Sequence, residues 1–264
     1  MCGIVGAVCN RDVFGILIEG LKRLEYRGYD SAGLSLIDAN SCLNTQKTIG
    51  RVADLEDLFN GEIPNGGLGI AHTRWATHGV PSSANSHPHT SGSISVVHNG
   101  IIENHNLLKK ELRDRGATLS SETDSEVIAH LIEFYSSETG SLKEAVDKTL
   151  SRLEGAYAIC VISKDYPDKM IGARSGSPLV IGLGIGEHFM ASDQMALRQV
   201  TDRFIYLEEG DVAEVSKNEI SVFDDNGELV EREINQINES DLLSEKGEYK
   251  HFMLKEIFEQ PRVI

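Results

Sequence analysis

The order in which strand-like and helix-like segments follow one another most constrains the fold of this chain. Apart from two short helical segments, apolar runs typical of strands fill about the first hundred residues and return from residue 156 onward. Between them, residues 106–153 carry apolar side chains at helical spacing. A doubly wound parallel sheet would need strands and helices to alternate. The pattern therefore predicts an α+β protein with stacked, largely antiparallel sheets and helices outside them.

The individual segments follow from hydrophobic periodicity and from the turn residues between them. Helices are predicted at residues 13–24, 53–59, 106–115, 125–135 and 142–153. Strands are predicted at residues 3–9, 33–38, 70–74, 93–98, 156–163, 170–173, 179–183, 188–191, 203–207 and 211–215.

Composition and charge exclude several classes of protein. The chain has 264 residues, of which 40% are hydrophobic, as expected for one large or two modest soluble domains. Its net charge of −16 opposes binding to nucleic acid or to an anionic membrane surface. The apolar runs are far shorter than the roughly 20 residues of a membrane span, and the N-terminus lacks the pattern of a secretory signal. We therefore expect a cytoplasmic protein that binds neither nucleic acid nor membrane.

Cys2 is a candidate nucleophile. The cysteines at positions 2, 9, 42 and 160 form no CxxC pair, which indicates reduced thiols in a chain of this length. Cys9 and Cys160 lie in apolar runs and are expected to be packing residues. Removal of Met1 would leave a thiol and a free α-amine on Cys2, so that one residue supplies both nucleophile and base near neutral pH. A packing role for Cys2 remains the simpler interpretation of this residue alone.

The segment at residues 71–79 is dense in polar side chains and lies at the end of a predicted strand. It contains Arg74, Trp75, Thr77 and His78, and polar side chains at a strand end are typical of functional sites. The guanidinium of Arg74 could bind a carboxylate through two hydrogen bonds, although a surface ion pair is equally compatible with this segment. Trp75 alone would more simply be a core residue.

Two further motifs have both a structural and a chemical interpretation. Asn99-Gly100 between apolar runs is a strong hairpin signal, yet the Asn99 amide and the Gly100 N–H could also stabilise an oxyanion. Residues 123–126 form a candidate capping box at the start of a helix. The carboxylate of Asp124 suits the positive helix end and could equally pair with a substrate ammonium.

A metal site is a further interpretation of this region because five histidines fall within 27 residues. They are His72, His78, His87, His89 and His98. Imidazole suits zinc or nickel, but the segment contains no HExxH motif. The pair His87 and His89 also lacks a clear third ligand at helical spacing. The chain also lacks the glycine-rich fingerprints of phosphate-binding loops. A histidine-rich metal-binding module therefore remains only an alternative.

Taken together, five motifs resemble those of the class II glutamine amidotransferases. In chain order they are MCGIVG at 1–6, EYRGYDSAG at 25–33, HTRWATHG at 72–79, HNGIIEN at 98–104 and ETDSE at 122–126. Five motifs in the expected order are far more specific than any single one. The resemblance extends over nearly the whole chain and is strongest to the members that pass ammonia to fructose-6-phosphate.

This resemblance implies an N-terminal-nucleophile hydrolase fold, with two stacked antiparallel sheets between helical layers. It also implies that Cys2, after loss of Met1, attacks the side-chain amide of L-glutamine while Asn99 and Gly100 hold the oxyanion. No cofactor and no metal is implied. The implied substrate-binding residues are Arg74 for the α-carboxylate, Asp124 for the α-ammonium, Trp75 to help close the site, and Thr77 and His78 in the same loop.

The resemblance further implies that the chain is part of a longer enzyme. Residues 1–240 would form the glutaminase domain, and residues 241–264 the linker and the start of an absent sugar-phosphate isomerase domain. The implied partners are L-glutamine and that absent domain, and a homodimer of the full-length enzyme is left open. Alternatives are the glutaminase domain of another class II enzyme, such as the phosphoribosylpyrophosphate type, and the metal-binding module.

Overall fold

The strands of the protein form two sheets. A computed structural model describes residues 2–59, 61, 64–76, 79–237 and 258. The strands of the first sheet are β1 (Gly3–Cys9), β2 (Ser31–Ile37), β3 (Leu43–Ile49), β4 (Leu68–Arg74), β9 (Val180–Leu183), β10 (Glu187–Ala191), β11 (Arg203–Tyr206) and β15 (Ile234–Gln236). Those of the second sheet are β5 (His89–Ser91), β6 (Ile94–Ile102), β7 (Gly155–Ser163), β8 (Tyr166–Ser175), β12 (Val212–Ser216), β13 (Ile220–Phe223) and β14 (Leu229–Val230).

The order of the strands places the N-terminal strand inside its sheet. Within the described residues the first sheet runs β15-β11-β9-β10-β1-β4-β2-β3, and the second runs β14-β13-β12-β8-β7-β6-β5. Neighbouring strands in both sheets are antiparallel, as the sequence predicts. Every residue of β1 is buried, because β1 has a neighbour on each side and is covered on both faces.

Helices cover the outer faces of the two sheets. They are α1 (Phe14–Leu24), α2 (Val52–Asp57), α3 (His105–Asp114), α4 (Glu126–Ser136) and α5 (Leu142–Leu150). The apolar faces of α1 and α2 pack on the first sheet, and those of α3, α4 and α5 pack on the second. A third apolar cluster fills the space between the sheets. The layers are therefore helix, sheet, sheet, helix, which confirms the predicted α+β architecture.

Several details of the sequence prediction are wrong for identifiable reasons. The strand β3 was missed because its exposed and partly buried residues alternate at the edge of the sheet and few are apolar. Asn99-Gly100 does not form a hairpin turn: both residues lie inside β6 and pair with β7. Their turn propensity is outweighed by nine consecutive pairings between these two strands.

The expected packing role of two cysteines is confirmed. Cys9 and Cys160 are both buried, and burial is the main cause that raises the pKa of each thiol to about 12. Among the described residues no helix is long and apolar enough to cross a bilayer.

Replacement of Gly100 by alanine should destabilise the β6–β7 pair. Gly100 has a φ of +139°, and an added Cβ would lie 2.0 Å from the carbonyl oxygen of Ala156. We expect Gly100→Ala to lower the free energy of unfolding by about 1–3 kcal/mol in urea titrations. The matched control is Gly15→Ala in α1, where an added Cβ meets nothing within 4 Å. That change should raise stability by about 0.5–1 kcal/mol, and equal stabilities of the two variants would contradict a steric requirement for glycine at position 100.

Candidate active site

One pocket of about 430 Å³ lies where the ends of β1, β4 and β6 meet. Cys2 immediately precedes β1, Arg74 is the last residue of β4, and Asn99 and Gly100 lie in β6. Thus the pocket receives side chains from both sheets. The residues that line it are Cys2, Arg27, Arg74, Trp75, His87, His98, Asn99, Gly100, Ile101, Thr123, Asp124, Ser125, Ser177 and Pro178.

The antiparallel pairing of β1 with β4 determines the surroundings of Cys2. Gly3 is opposite Thr73 in this register, so Cys2 lies beside the residues that follow β4. The N–H of Trp75 donates to the Cys2 sulfur at 3.2 Å. Burial raises the pKa of the Cys2 thiol, while the Trp75 N–H opposes this rise by stabilising the thiolate.

Arg74 provides a buried positive charge at the pocket. Its side chain is 4% exposed, and its Nη2 donates to the carbonyl oxygen of Gly79 at 3.0 Å. Its Nη1 lies 3.6 Å from a carboxylate oxygen of Asp30. Asp30 in turn accepts hydrogen bonds from the hydroxyl of Ser31 and the N–H of Ala76. A buried guanidinium needs such partners. The network therefore holds both the guanidinium and the backbone at the end of β4 in position.

Asp124 provides a buried negative charge in the same pocket. It is 3% exposed, and its Oδ2 accepts a hydrogen bond of 2.7 Å from the N–H of Ile102. The predicted capping box does not form, since α4 begins at Glu126 and its N-cap residue makes no side-chain capping bond. The carboxylate of Glu126 instead binds the N–H groups of Ser120 and Ser121. This arrangement holds the loop that carries Asp124.

The Glu126 carboxylate is ionised in the folded protein. Burial alone would raise its pKa, but the nearby His130 ring, 3.8 Å away, and hydrogen bonds from Ser120 and Ser121 hold that pKa well below the ordinary value. A permanent negative charge therefore anchors the loop that contains Asp124.

Trp75 lies at the mouth of the pocket rather than in the core. Its side chain is 53% exposed, and its ring rests against Gly28. Gly28 has a φ of +94°, and a Cβ there would lie 1.7 Å from the indole ring. Only glycine therefore permits this position of the ring.

The structure thus brings together Cys2, Arg74, Trp75, Asp124 and the pair Asn99-Gly100. The Nδ2 of Asn99 donates to the carbonyl oxygen of Cys2 at 3.2 Å. Thr77 and His78 lie outside the described residues.

Sequence reasoning missed Arg27 as a pocket residue. Arg27 lines the pocket and its Nη1 lies 3.4 Å from the carboxylate of Asp193. The only sequence signal was its position in the motif at 25–33. Ser177 and Pro178 reach the pocket from the loop after β8, and neither residue type indicates a site by itself.

Four of the five histidines considered as metal ligands pack against one another. The ring centroid of His87 lies 4.2 Å from that of His72, 4.7 Å from that of His89 and 6.4 Å from that of His98. Burial is the main cause that lowers the pKa of each ring, so all four are neutral at pH 7. Within the described ranges, no three His, Cys, Asp or Glu side chains are arranged to hold a metal ion.

Comparison with known proteins gives consistent results. Residues 72–199 match a glutamine amidotransferase domain family. The whole chain is 57% identical to a glutamine–fructose-6-phosphate aminotransferase (isomerizing) from Vibrio vulnificus and 56% identical to one from Pseudomonas putida. The chain spans 43% of the length of these curated relatives. A solved glutamine phosphoribosylpyrophosphate amidotransferase from B. subtilis aligns with 89% of this chain and 49% of its own, with a TM-score of 0.69 and 27% identity.

The pH dependence of alkylation tests the environment of Cys2. Because burial disfavours the thiolate, the rate of reaction with iodoacetamide should rise with pH and reach its midpoint above the ordinary thiol value. The experiment uses Cys42→Ser, which removes the exposed competing thiol, and mass spectrometry of the folded protein with Met1 retained. Cys9 and Cys160 should remain unmodified. A midpoint at or below the ordinary value would show that burial does not control this thiol.

Proposed function

Since this chain belongs to the class II glutamine amidotransferases, we propose that it hydrolyses the side-chain amide of L-glutamine to glutamate and ammonia. The observation that carries the proposal is that one pocket contains the Cys2 sulfur, the Arg74 guanidinium and the Asp124 carboxylate. A nucleophile beside one buried charge of each sign matches the chemistry of glutamine, whose amide is joined to a zwitterionic end.

The reaction begins when Met1 is removed and the α-amine of Cys2 becomes free. This amine takes the thiol proton while the sulfur bonds to the amide carbon of glutamine. The tetrahedral intermediate collapses, the C–N bond breaks, and the proton passes to the leaving group so that ammonia departs and a thioester remains. Water then attacks the thioester carbon while the amine accepts its proton, the C–S bond breaks, and the amine returns the proton to the sulfur, so that glutamate and the free thiol are released.

Charges of opposite sign orient the substrate. Arg74 binds the α-carboxylate and Asp124 binds the α-ammonium, because each carries the opposite charge. Both side chains are buried and have hydrogen-bond partners that hold them in place. Thr77 and His78 belong to the same proposed binding loop as Arg74, and Trp75 closes the pocket over bound glutamine. Exclusion of water keeps released ammonia from taking up a proton.

The side-chain amide of Asn99 and the N–H of Gly100 stabilise the oxyanion. This role is supported by the position of Asn99, whose Nδ2 lies 3.2 Å from the carbonyl oxygen of the nucleophilic residue itself. Donors placed before the reaction begins stabilise developing charge without reorganisation.

The longer relatives suggest what becomes of the ammonia. In a full-length enzyme like these aminotransferases, it would convert fructose-6-phosphate to glucosamine-6-phosphate in a C-terminal domain. Residues 1–240 would then be the glutaminase domain, with residues 241–264 leading into the next, and the full-length enzyme would be a candidate homodimer. A cytoplasmic location fits this proposal because the nucleophilic thiol must stay reduced. Identity of 57% to the aminotransferases against 27% to the phosphoribosylpyrophosphate enzyme favours this branch.

Processing of Met1 should switch the activity on. We expect glutamate release only after Met1 is removed, because an acylated nitrogen on Cys2 cannot act as the base. The measurement pairs intact mass with a glutamate assay on the chain before and after treatment with a methionine aminopeptidase. Cys2→Ala should abolish release in the processed chain, and Cys42→Ser is the matched control that should keep it. Normal turnover by Cys2→Ala would refute the proposed nucleophile.

Substrate analogues should separate the roles of Arg74 and Asp124. 4-Aminobutanamide is glutamine without its α-carboxylate, and glutaramic acid is glutamine without its α-amine. We expect Arg74→Ala to reduce the ratio of kcat/KM for glutamine to kcat/KM for 4-aminobutanamide by about 10- to 100-fold. Asp124→Asn should reduce the corresponding ratio for glutamine over glutaramic acid by a similar factor. Each variant should keep its discrimination against the other analogue.

The exposed Arg11, paired with Glu187, supplies the control for loss of a cation. Arg11→Ala should keep both preferences. If Arg74→Ala slowed all three substrates equally, Arg74 would serve the fold of the loop and not the recognition of a carboxylate.

A further inference from the structure

His72 is a fully buried residue of β4 to which the proposed reaction gives no task. Its Nε2 lies 2.9 Å from the Oδ1 of Asn99 and 3.1 Å from the carbonyl oxygen of His98. These two contacts join the first sheet to the second at the Asn99 amide, which also contacts the carbonyl oxygen of Cys2.

The His98 carbonyl determines which ring nitrogen of His72 carries a hydrogen. A carbonyl oxygen can only accept a hydrogen bond, so the Nε2 that faces it must be a donor. Burial lowers the pKa of His72 to about 3, so the ring is neutral and Nδ1 carries no hydrogen. Nδ1 is buried without a hydrogen-bond partner among the described residues, which also favours placing the hydrogen on Nε2.

This tautomer in turn determines the orientation of the Asn99 amide. The amide atom that faces the Nε2–H must be an acceptor, because an NH₂ group there would set donor against donor. The oxygen of Asn99 therefore faces His72, and its NH₂ group faces Cys2, where it lies 3.2 Å from the carbonyl oxygen. Rotation of the amide by 180° would present an oxygen to the developing negative charge instead.

We propose that His72 is a positioning residue that holds the Asn99 amide with its NH₂ group toward the oxyanion of the tetrahedral intermediate. The inference rests on the proposed glutaminase reaction, and it assigns to His72 an effect on the transition state only. Binding of glutamine in the ground state depends instead on Arg74 and Asp124, the residues proposed to pair with its two charged groups.

Two substitutions of nearly equal size test this proposal in the full 264-residue chain with Met1 removed. His72→Gln keeps a side-chain N–H donor, and His72→Met has none. We expect the Met variant to show a kcat about 10- to 100-fold below that of the Gln variant, with the same KM for glutamine. Outright loss of an oxyanion donor, by comparison, lowers kcat by about 100- to 1,000-fold.

An aldehyde analogue gives a readout that a structural role would not change. In this analogue a –CHO group replaces the side-chain amide of glutamine. The Cys2 sulfur bonds to its carbonyl carbon, the C=O π bond breaks, and the thiol proton moves to the oxygen, which occupies the oxyanion position. In His72→Met the dissociation constant of this adduct should rise by the same factor by which kcat falls. The dissociation constant of the product glutamate should not change.

The matched control is His188, a buried histidine of β10 whose Nδ1 lies 2.8 Å from the carbonyl oxygen of Ser216. His188→Met should lower the thermal unfolding midpoint and leave kcat unchanged. If His72→Met fails to fold, His72→Gln decides alone: a folded Gln variant that loses about 100-fold or more in kcat overturns the proposal, and a smaller loss supports it.

Equal kcat values for His72→Gln and His72→Met overturn the role of His72 while the glutaminase activity of the unsubstituted chain stands. No glutamate release from the unsubstituted, folded and processed chain would overturn the proposed function, and the role of His72 with it.

Discussion

The pairing of β1 with β4 is the interaction on which the rest of the site depends. It places a fully buried strand inside an eight-stranded sheet of the described chain, and its register sets Cys2 beside the residues that follow β4. β4 pairs with β1 from Gly3 to Val8 and β10 pairs with it from Val5 to Cys9, so the segment that follows Cys2 is held between two strands. The sulfur of Cys2 therefore has a fixed position and a fixed donor in the N–H of Trp75.

The second sheet completes the site because it packs directly on the first. Asn99 lies in β6, and its amide contacts Cys2 on one side and His72 on the other, so both of its partners belong to the first sheet or its N-terminal extension. The two opposite charges of the pocket are buried at the ends of different elements, with Arg74 closing β4 and Asp124 preceding α4. Each is held by partners that do not depend on a ligand, so the pocket is organised before any substrate enters.

The sequence predicts correctly those features that depend on interactions between neighbouring residues, and it fails where contacts between distant residues decide. The helices α1, α3 and α4 were predicted to within two residues because their apolar periodicity is a local property. The Asn99-Gly100 turn and the capping box at 123–126 were wrong because local propensity was overruled. In the first case the pairing of β6 with β7 extends through the turn signal, and in the second the Glu126 carboxylate binds the preceding loop. Arg27 was missed because its place in the motif at 25–33 gave no chemical reason to assign this arginine to the pocket.

The sequence by itself determined the layered α+β architecture and the family, and it predicted the residues of the proposed catalytic site. Hydrophobic period and motif order are properties of neighbouring residues, so they can be read along the chain. The tertiary structure alone decided that residues as far apart as Cys2, Arg74, Asn99 and Asp124 line one pocket. It also decided the orientation of the Asn99 amide, because the hydrogen bond that fixes it comes from a histidine on the opposite sheet. Such contacts depend on the register and packing of strands distant in sequence, which no local pattern encodes.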